Sequence, residues 1–277
     1  GQSGGPTAVI NSSLVGVFQA AKSRGAQHVY GMRYGVKGLL EEQVVDLSDT
    51  LRDNLDIEIL KRTPASYLGS CRYKLPVPAE DPALYEKLFG ILKKLDVGYF
   101  FYIGGNDSMD TISKLSDYAC MTGSDIKFMG VPKTIDNDLA ATDHTPGYGS
   151  AAKYIGAITK EVIRDGLVYD QQNVTILEIM GRNAGWLTGA AALAKGEDCE
   201  GPDMLFLPEV TFDVDSFMKK VEELHKKKAS VVVAVSEGVK LADGRYVCEL
   251  TDGIEFVDAF GHKQLTGTAR FLAEKVN

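Results

Sequence analysis

Residues 229–238 read ASVVVAVSEG: five aliphatic side chains in unbroken succession, closed by a serine, an acid and a glycine. A strand that is apolar at every position has to be covered on both faces, as in parallel sheets sandwiched between helices. VGYFFYIGG at 97–105 repeats the pattern, and shorter apolar runs occur in IKFMGVP, NVTILEIM and DMLFLPE. Helical spacing separates these runs: Leu14, Phe18 and Ala21 up to Gly25, then Met109, Ile112, Leu115 and Ala119 up to Gly123. AAKYIGAITKEVIRDG, AGWLTGAAALAKG and DVDSFMKKVEELHKKK continue the alternation. The fold class predicted is therefore α/β, as two three-layer α/β/α sandwich domains with mainly parallel sheets. HTPGYGS, ending at Ser150, interrupts the pattern and sets the expected boundary between 1–148 and 149–255.

The chain opens with GQSGGPT, a glycine turn feeding a helix in which Asn11 is an N-cap or first-turn residue. Such a turn normally follows a buried strand, so the first strand is expected to precede Gly1. No apolar run approaches the roughly 20 residues that span a bilayer, and no signal-peptide pattern is present, which argues against a membrane protein. The 38 acids against 30 bases give a net charge of −8, unlike a nucleic-acid surface. Cys71, Cys120, Cys199 and Cys248 form no CxxC pair, so zinc is not expected, and reduced thiols in a cytoplasmic protein are. The charge run KKVEELHKKK is the solvated face of a helix.

Open parallel sheets place their chemistry at the carboxyl ends of the strands. Those ends read GQSGG, GGNDS, PKTIDND, EIMGRNAG and VSEG, rich in glycine, acid, base and hydroxyl, which suits a phosphate and metal site. GQSGGPT alone is a weak signal, matching neither the dinucleotide fingerprint nor the Walker A pattern. In IGGNDS, close backbone approach at Gly104 and Gly105 combines with Asp107, a carboxylate able to hold Mg²⁺ near phosphates. PKTIDND offers Lys133, Thr134, Asp136 and Asp138; in an extended segment the last three project to one face and can divide the work between metal and base. An Asp/Asn-rich turn is the bland alternative. Arg182 of MGRNAG suits bidentate phosphate contact, and Arg72 of GSCRYK has a phosphate reading or a surface one. Glu237 either accepts hydrogen bonds from sugar hydroxyls or caps a helix or turn.

GQSGGPTAVIN, GSCR, GGNDS, PKTIDND, GYGSAAKY, MGRNAGWL and SEG occur in the order and approximate spacing found in phosphofructokinases, and the resemblance covers essentially the whole chain. It implies phosphoryl transfer to the 1-hydroxyl of fructose 6-phosphate, with the active site in an inter-domain cleft, a donor domain over 1–148, a sugar-phosphate domain over 149–255, and 256–277 as the truncated start of a C-terminal segment returning to the first domain. Asp136 matches the family's general base, with Asp138 and Thr134 supporting metal, hydroxyl and phosphate. Met180, Gly181, Arg182 and Glu237 match the sugar-phosphate side, and Gly4, Gly5, Arg72, Gly104, Gly105, Asp107 and Ser108 the donor side. ATP-using members usually carry glycine at the positions of Asp107 and Lys133, so this pair resembles the pyrophosphate-dependent branch. A carboxylate in place of glycine repels a nucleotide α-phosphate, and a lysine adds a point charge for a short donor. Mg²⁺ is the implied cofactor, with Asp107 and Asn106 as its ligands, although Asn106 stands where the family usually has an aspartate. Asn173 falls where many members have an arginine reaching a neighbouring subunit's sugar phosphate. A homo-oligomer, dimer or tetramer, is also implied, in glycolysis or gluconeogenesis. The rivals are an ATP-dependent 6-phosphofructokinase and a non-catalytic regulatory sugar-phosphate-binding subunit.

Overall fold

The computed structural model describes residues 1–5, 7–250 and 266–276. The chain divides into two compact units, Gly1–Thr134 and Ile135–Asn277. The division falls upstream of the expected interruption, where Tyr148 opens a helix instead.

The first unit runs α1 (Ile10–Ser23), β1 (Tyr30–Met32), α2 (Gly35–Leu40), β2 (Val44–Asp46), α3 (Leu47–Thr50), α4 (Asn54–Arg62), α5 (Pro82–Lys94), β3 (Tyr99–Gly104), α6 (Asn106–Thr122) and β4 (Lys127–Pro132). β3 and β4 pair in parallel, from Tyr99 opposite Lys127 to Gly104 opposite Pro132. Residues 1–3 lie along the other edge of β3, where the Ser3 N–H donates to the Ile103 carbonyl at 2.8 Å and the Ile103 N–H to the Gly1 carbonyl at 2.9 Å. Both faces of β3 are covered, as its apolar run requires. Phe100 and Tyr102 pack with Tyr85, Leu88, Ile91 and Leu92 of α5 and Leu115 of α6. Ile103 joins Ile10, Leu14, Val15 and Phe18 of α1 and Ile57 and Leu60 of α4. Asn11 is the second residue of α1 and makes no cap bond, so it is a first-turn residue.

The segment between α1 and β3, which the apolar runs do not organise, holds an antiparallel pair, β1 with β2, and four helices. Local signals for two of them exist. The Asp53 carboxylate accepts from the Leu55 and Asp56 N–H groups at the start of α4, and that of Asp81 accepts from the Leu84 N–H beside Pro82 in α5.

The second unit runs α7 (Tyr148–Gly166), β5 (Asn173–Ile179), α8 (Trp186–Ala190) continuing into a 3₁₀ turn at Ala191–Ala194, β6 (Met204–Phe206), α9 (Val214–His225), β7 (Ser230–Ser236), a 3₁₀ turn at Val247–Leu250, and α10 (Thr268–Val276). The sheet order is β5-β7-β6, all parallel, with β7 central and every one of its residues buried. Alternate residues of β7 serve opposite layers. Val231, Val233 and Val235 pack with Phe217 and Val221 of α9 and Leu272 of α10. Val232 packs with Ile163 of α7, and Ala234 with Leu187 of α8 and Ala191. The expected C-terminal segment lies partly outside the described residues; in the part described, 266–276, Leu272 is fully buried among β7 and α9 side chains. Among the described residues no helix is long and apolar enough to cross a membrane.

Phe217 is 1% exposed, and its ring centroid lies 5.8 Å from that of Phe212, tilted, and 5.9 Å from that of Phe206, edge to face. Phe217→Ala is expected to cost about 3–5 kcal/mol of stability. In urea titration the midpoint should fall with an unchanged slope.

Candidate active site

In the first unit two glycine turns meet at the carboxyl end of β3. Gly4 and Gly5 have φ of +63° and +49°, a left-handed pair that L side chains disfavour. A Cβ on Gly104 would lie 2.0 Å from Ser108 Oγ and 2.6 Å from the Ser3 carbonyl oxygen, and one on Gly4 would lie 3.3 Å from the Gly105 nitrogen. α6 starts directly after Gly105, without a side-chain cap, so its first N–H groups remain available to an anion. Asp107 lies in its first turn and Ser108 is buried. Lys133 is 3% exposed; its N–H donates to the Gly104 carbonyl at 3.0 Å and its Nζ to the Gly5 carbonyl at 2.5 Å. The structure therefore brings Gly4, Gly5, Gly104, Gly105, Ser108 and Lys133 together.

A buried amide pair supports this cradle. Gln2 Nε2 donates to Asn11 Oδ1 at 2.9 Å and to the Ile10 carbonyl at 3.1 Å, while Gln2 Oε1 accepts from the Leu68 N–H and the Ser66 hydroxyl. Asn11 Oδ1 also accepts from the Tyr67 N–H, and Asn11 Nδ2 donates to the Thr63 carbonyl. The loop thus held reaches the first glycine turn: Ser70 Oγ accepts from the Gly4 N–H at 3.2 Å, and Ser3 Oγ donates to the Cys71 carbonyl at 3.1 Å. Arg72, exposed, is the next residue. Gln2 and Asn11 carry no sequence signal for this role beyond being amides beside a glycine turn.

Among the described residues no three His, Cys, Asp or Glu side chains converge to cage an ion. The Asp107 and Asn106 donor set fits Mg²⁺ in its usual mode, with one or two protein oxygens and the remaining ligands from phosphate and water.

PKTIDND crosses the division between the units after Thr134. The chain bends at Ile135 and Asp136, and Asn137 is left-handed at φ +58°. The one-face projection expected of Thr134, Asp136 and Asp138 is therefore lost at Asn137, because a left-handed residue breaks the period-two alternation. Asn137 is buried, accepting from the Thr145 N–H at 2.8 Å and donating to the Asp143 carbonyl at 3.1 Å. It thereby pins a loop that, with Trp186, bounds a cavity of about 490 Å³ containing Asp138, Thr142 and His144. Of these lining residues the sequence marks Asp138 as a candidate, and neither His144 nor Trp186.

At the end of β5, Gly181 has φ +136°, its N–H donates to Glu237 Oε1 at 3.2 Å, and its carbonyl accepts from Ser236 Oγ at 2.7 Å. The Glu237 N–H donates to the Ile179 carbonyl at 2.9 Å. A Cβ on Gly238 would lie 2.0 Å from the Arg182 carbonyl oxygen. Met180, 59% exposed, Gly181, Arg182 and Glu237 thus form one braced strand end, with Glu209 Oε1 accepting from the Gly185 N–H beyond it. Burial pushes the Glu237 carboxyl above the usual carboxylate range; Asp136 and Glu178 add to this, and the Gly181 N–H and Arg182 oppose it. Asn173 opens β5 at the opposite end of the strand, where its Oδ1 accepts from Ser230 Oγ at 3.0 Å.

The model of the family described as Phosphofructokinase matches residues 1–275. The pyrophosphate–fructose 6-phosphate 1-phosphotransferase of Xanthomonas campestris pv. campestris (strain B100) is 43% identical over 99% of this chain and 65% of its own length. An ATP-dependent 6-phosphofructokinase of Actinobacillus pleuropneumoniae serotype 5b (strain L20) is 32% identical over 94% of this chain and 72% of its own. The solved structure of a pyrophosphate-dependent phosphofructokinase from Nitrosospira multiformis aligns with a TM-score of 0.82 at 38% identity, covering 99% of this chain and 64% of that one. The chain thus spans just under two thirds of the length of these two pyrophosphate-dependent relatives. It belongs to the phosphofructokinase family.

Because the Glu237 carboxyl is raised, the folded protein holds a proton that the unfolded chain has released once pH exceeds the ordinary glutamate range. Stability from this group is therefore full at low pH and declines as pH rises through the raised value. Glu237→Gln should remove that decline, so its urea midpoint relative to the parent is expected to rise between pH 4 and pH 8.

Proposed function

We propose that this phosphofructokinase transfers a phosphoryl group from pyrophosphate to the 1-hydroxyl of fructose 6-phosphate, giving fructose 1,6-bisphosphate and phosphate. The observation that carries the donor assignment is Lys133, whose buried ammonium donates to the Gly5 carbonyl of the first glycine turn. An ammonium held there offers a fixed charge to a donor that concentrates its own on two phosphates. Asp107, in the first turn of α6, adds a carboxylate that disfavours the longer phosphate chain of a nucleotide. The pyrophosphate-dependent names borne by relatives about 40% identical support the same choice.

Phosphoryl transfer asks a protein chiefly for positioning and charge stabilisation. The glycine turns at Gly4, Gly5, Gly104 and Gly105, with Arg72 and Ser108, bind the donor. Lys133 stabilises charge on the transferred group. Asp136 accepts the proton of the attacking hydroxyl, with Thr134 and Asp138 orienting it. Met180, Gly181 and Arg182 hold the sugar phosphate, and Glu237 accepts from its hydroxyls. Mg²⁺, held by Asp107 and Asn106, would neutralise phosphate oxygens. Residues 1–148 then serve the donor and 149–255 the acceptor. Pyrophosphate and product phosphoester are close in energy, so the reaction is read as reversible, in glycolysis or gluconeogenesis, by a cytoplasmic homo-oligomer.

The donor is tested on the full-length protein by comparing turnover with pyrophosphate and with ATP. Pyrophosphate should be used and ATP should not. The double variant Asp107→Gly, Lys133→Gly should lose about 100-fold in pyrophosphate kcat/KM and gain measurable ATP turnover. A parent that prefers ATP refutes the assignment and favours the ATP-dependent rival.

Asp136→Ser should lower kcat by roughly 100- to 10,000-fold while fructose 6-phosphate still binds in calorimetry. Unimpaired turnover removes Asp136 as the base. A parent that binds the sugar phosphate and turns over neither donor is the regulatory subunit.

A further inference from the structure

We propose that Glu178 is a positioning residue for the acceptor loop: its carboxylate clamps the N-terminus of α10 to the end of β5 and so fixes the strand end from which Met180–Arg182 leave and on which Glu237 docks. The inference rests on the acceptor role given above to those four residues.

Glu178 is the penultimate residue of β5 and sits in register with Val235 of β7. Its Oε1 accepts from the Gly267 N–H at 3.1 Å and its Oε2 from the Ala269 N–H at 2.8 Å. Each oxygen thus satisfies one of the amides that a helix start leaves unpaired, and the negative charge faces the positive end of the helix dipole. α10 has no cap of its own. Gly267, with φ +113°, precedes it without a side chain, and Thr268 Oγ1 is buried without a hydrogen-bond partner among the described residues. A helix of nine residues is marginal by local propensity, so it depends on this clamp and on the buried Leu272.

The clamp reaches the acceptor loop through two backbone groups. The Ile179 carbonyl, next to Glu178, accepts from the Glu237 N–H, and the Gly181 N–H donates to the Glu237 carboxylate. A displacement of Glu178 therefore moves both partners of Glu237. Charge is coupled as well. Glu178 and Asp136 are the acids that face Glu237, and Arg182 is the base. Two glutamates can share this strand end because α10 absorbs the charge of one, and Gly181 with Arg182 that of the other.

The test uses Glu178→Gln in the full-length protein, with Glu178→Ala as a second variant. The glutamine keeps the volume but turns an amide N–H₂ towards a backbone N–H. Hydrogen exchange at Gly267 and Ala269 should accelerate about tenfold or more. KM for fructose 6-phosphate should rise about 3- to 10-fold, with kcat and the pyrophosphate KM within about twofold of the parent. The acid limb of the acceptor kcat/KM profile should move to lower pH, since Glu237 loses a like-charged neighbour. Unchanged exchange overturns the clamp. Faster exchange with an unchanged acceptor KM overturns the positioning role, as does a loss shared equally by both substrates. If the parent does not phosphorylate fructose 6-phosphate, the functional assignment fails on its own. The clamp itself is then decided by hydrogen exchange at Gly267 and Ala269, which must still accelerate in Glu178→Gln.

Discussion

Three backbone segments converge at Gly104 with no room for a methyl group, and the paired glycine turns of the first unit depend on that closeness. Ser3, the end of β3 and the first turn of α6 meet there, and any side chain would force Ser108 and the Ser3 carbonyl away. The glycine turn at Gly4 and the start of α6 consequently lie side by side, and a helix start carries positive potential without spending a flexible side chain on it. Lys133 joins by backbone as well as by ammonium, since its N–H extends the β3–β4 pairing beyond Pro132. Its burial is tolerable because Nζ has a carbonyl to donate to.

The second unit meets the same demand with side chains. β7 is buried along its whole length, so polar groups are admitted only where the strand stops. Ser236 spans that edge, donating to the Gly181 carbonyl while accepting from the Gly238 N–H at 3.0 Å. The contact closes the gap so far that Gly238 cannot carry a Cβ. Glu237 is left half-buried against a backbone N–H and an arginine, an environment that rewards a hydroxyl-bearing ligand able to replace lost water.

Most of this was legible in the order of residues wherever burial dictates pattern. The runs around β3 and β7 follow from coverage on two faces, as the spacing of α1, α6, α7 and α9 follows from a single buried face, whereas β4 keeps exposed residues at Lys127 and Met129 and β5 is buried only at Ile179. The stretch between α1 and β3 was not legible, because β1 and β2 are three residues each and too short to show a period. The predicted helix over AGWLTGAAALAKG shortens to α8 plus a 3₁₀ turn. Long-range polar contacts were equally hidden. Nothing local reveals that Gln2 will meet Leu68 or that Glu178 will meet Ala269, because both depend on packing partners far along the chain. The single left-handed residue Asn137 undid the extended reading of PKTIDND, and an Asn beside two aspartates is a signal for such a residue that periodicity overlooks.

That heptapeptide belongs to both compact units. Lys133 and Thr134 end the first, and Asp136 and Asp138 lie within the second. Between the Cα atoms of Lys133 and Asp136 the chain can stretch no further than about 11 Å, whatever each unit does internally. A covalent tether therefore limits how far the Lys133 backbone can stray from that of Asp136. A cut at this junction would sever that tether, whereas a cut in an exposed loop elsewhere would preserve it.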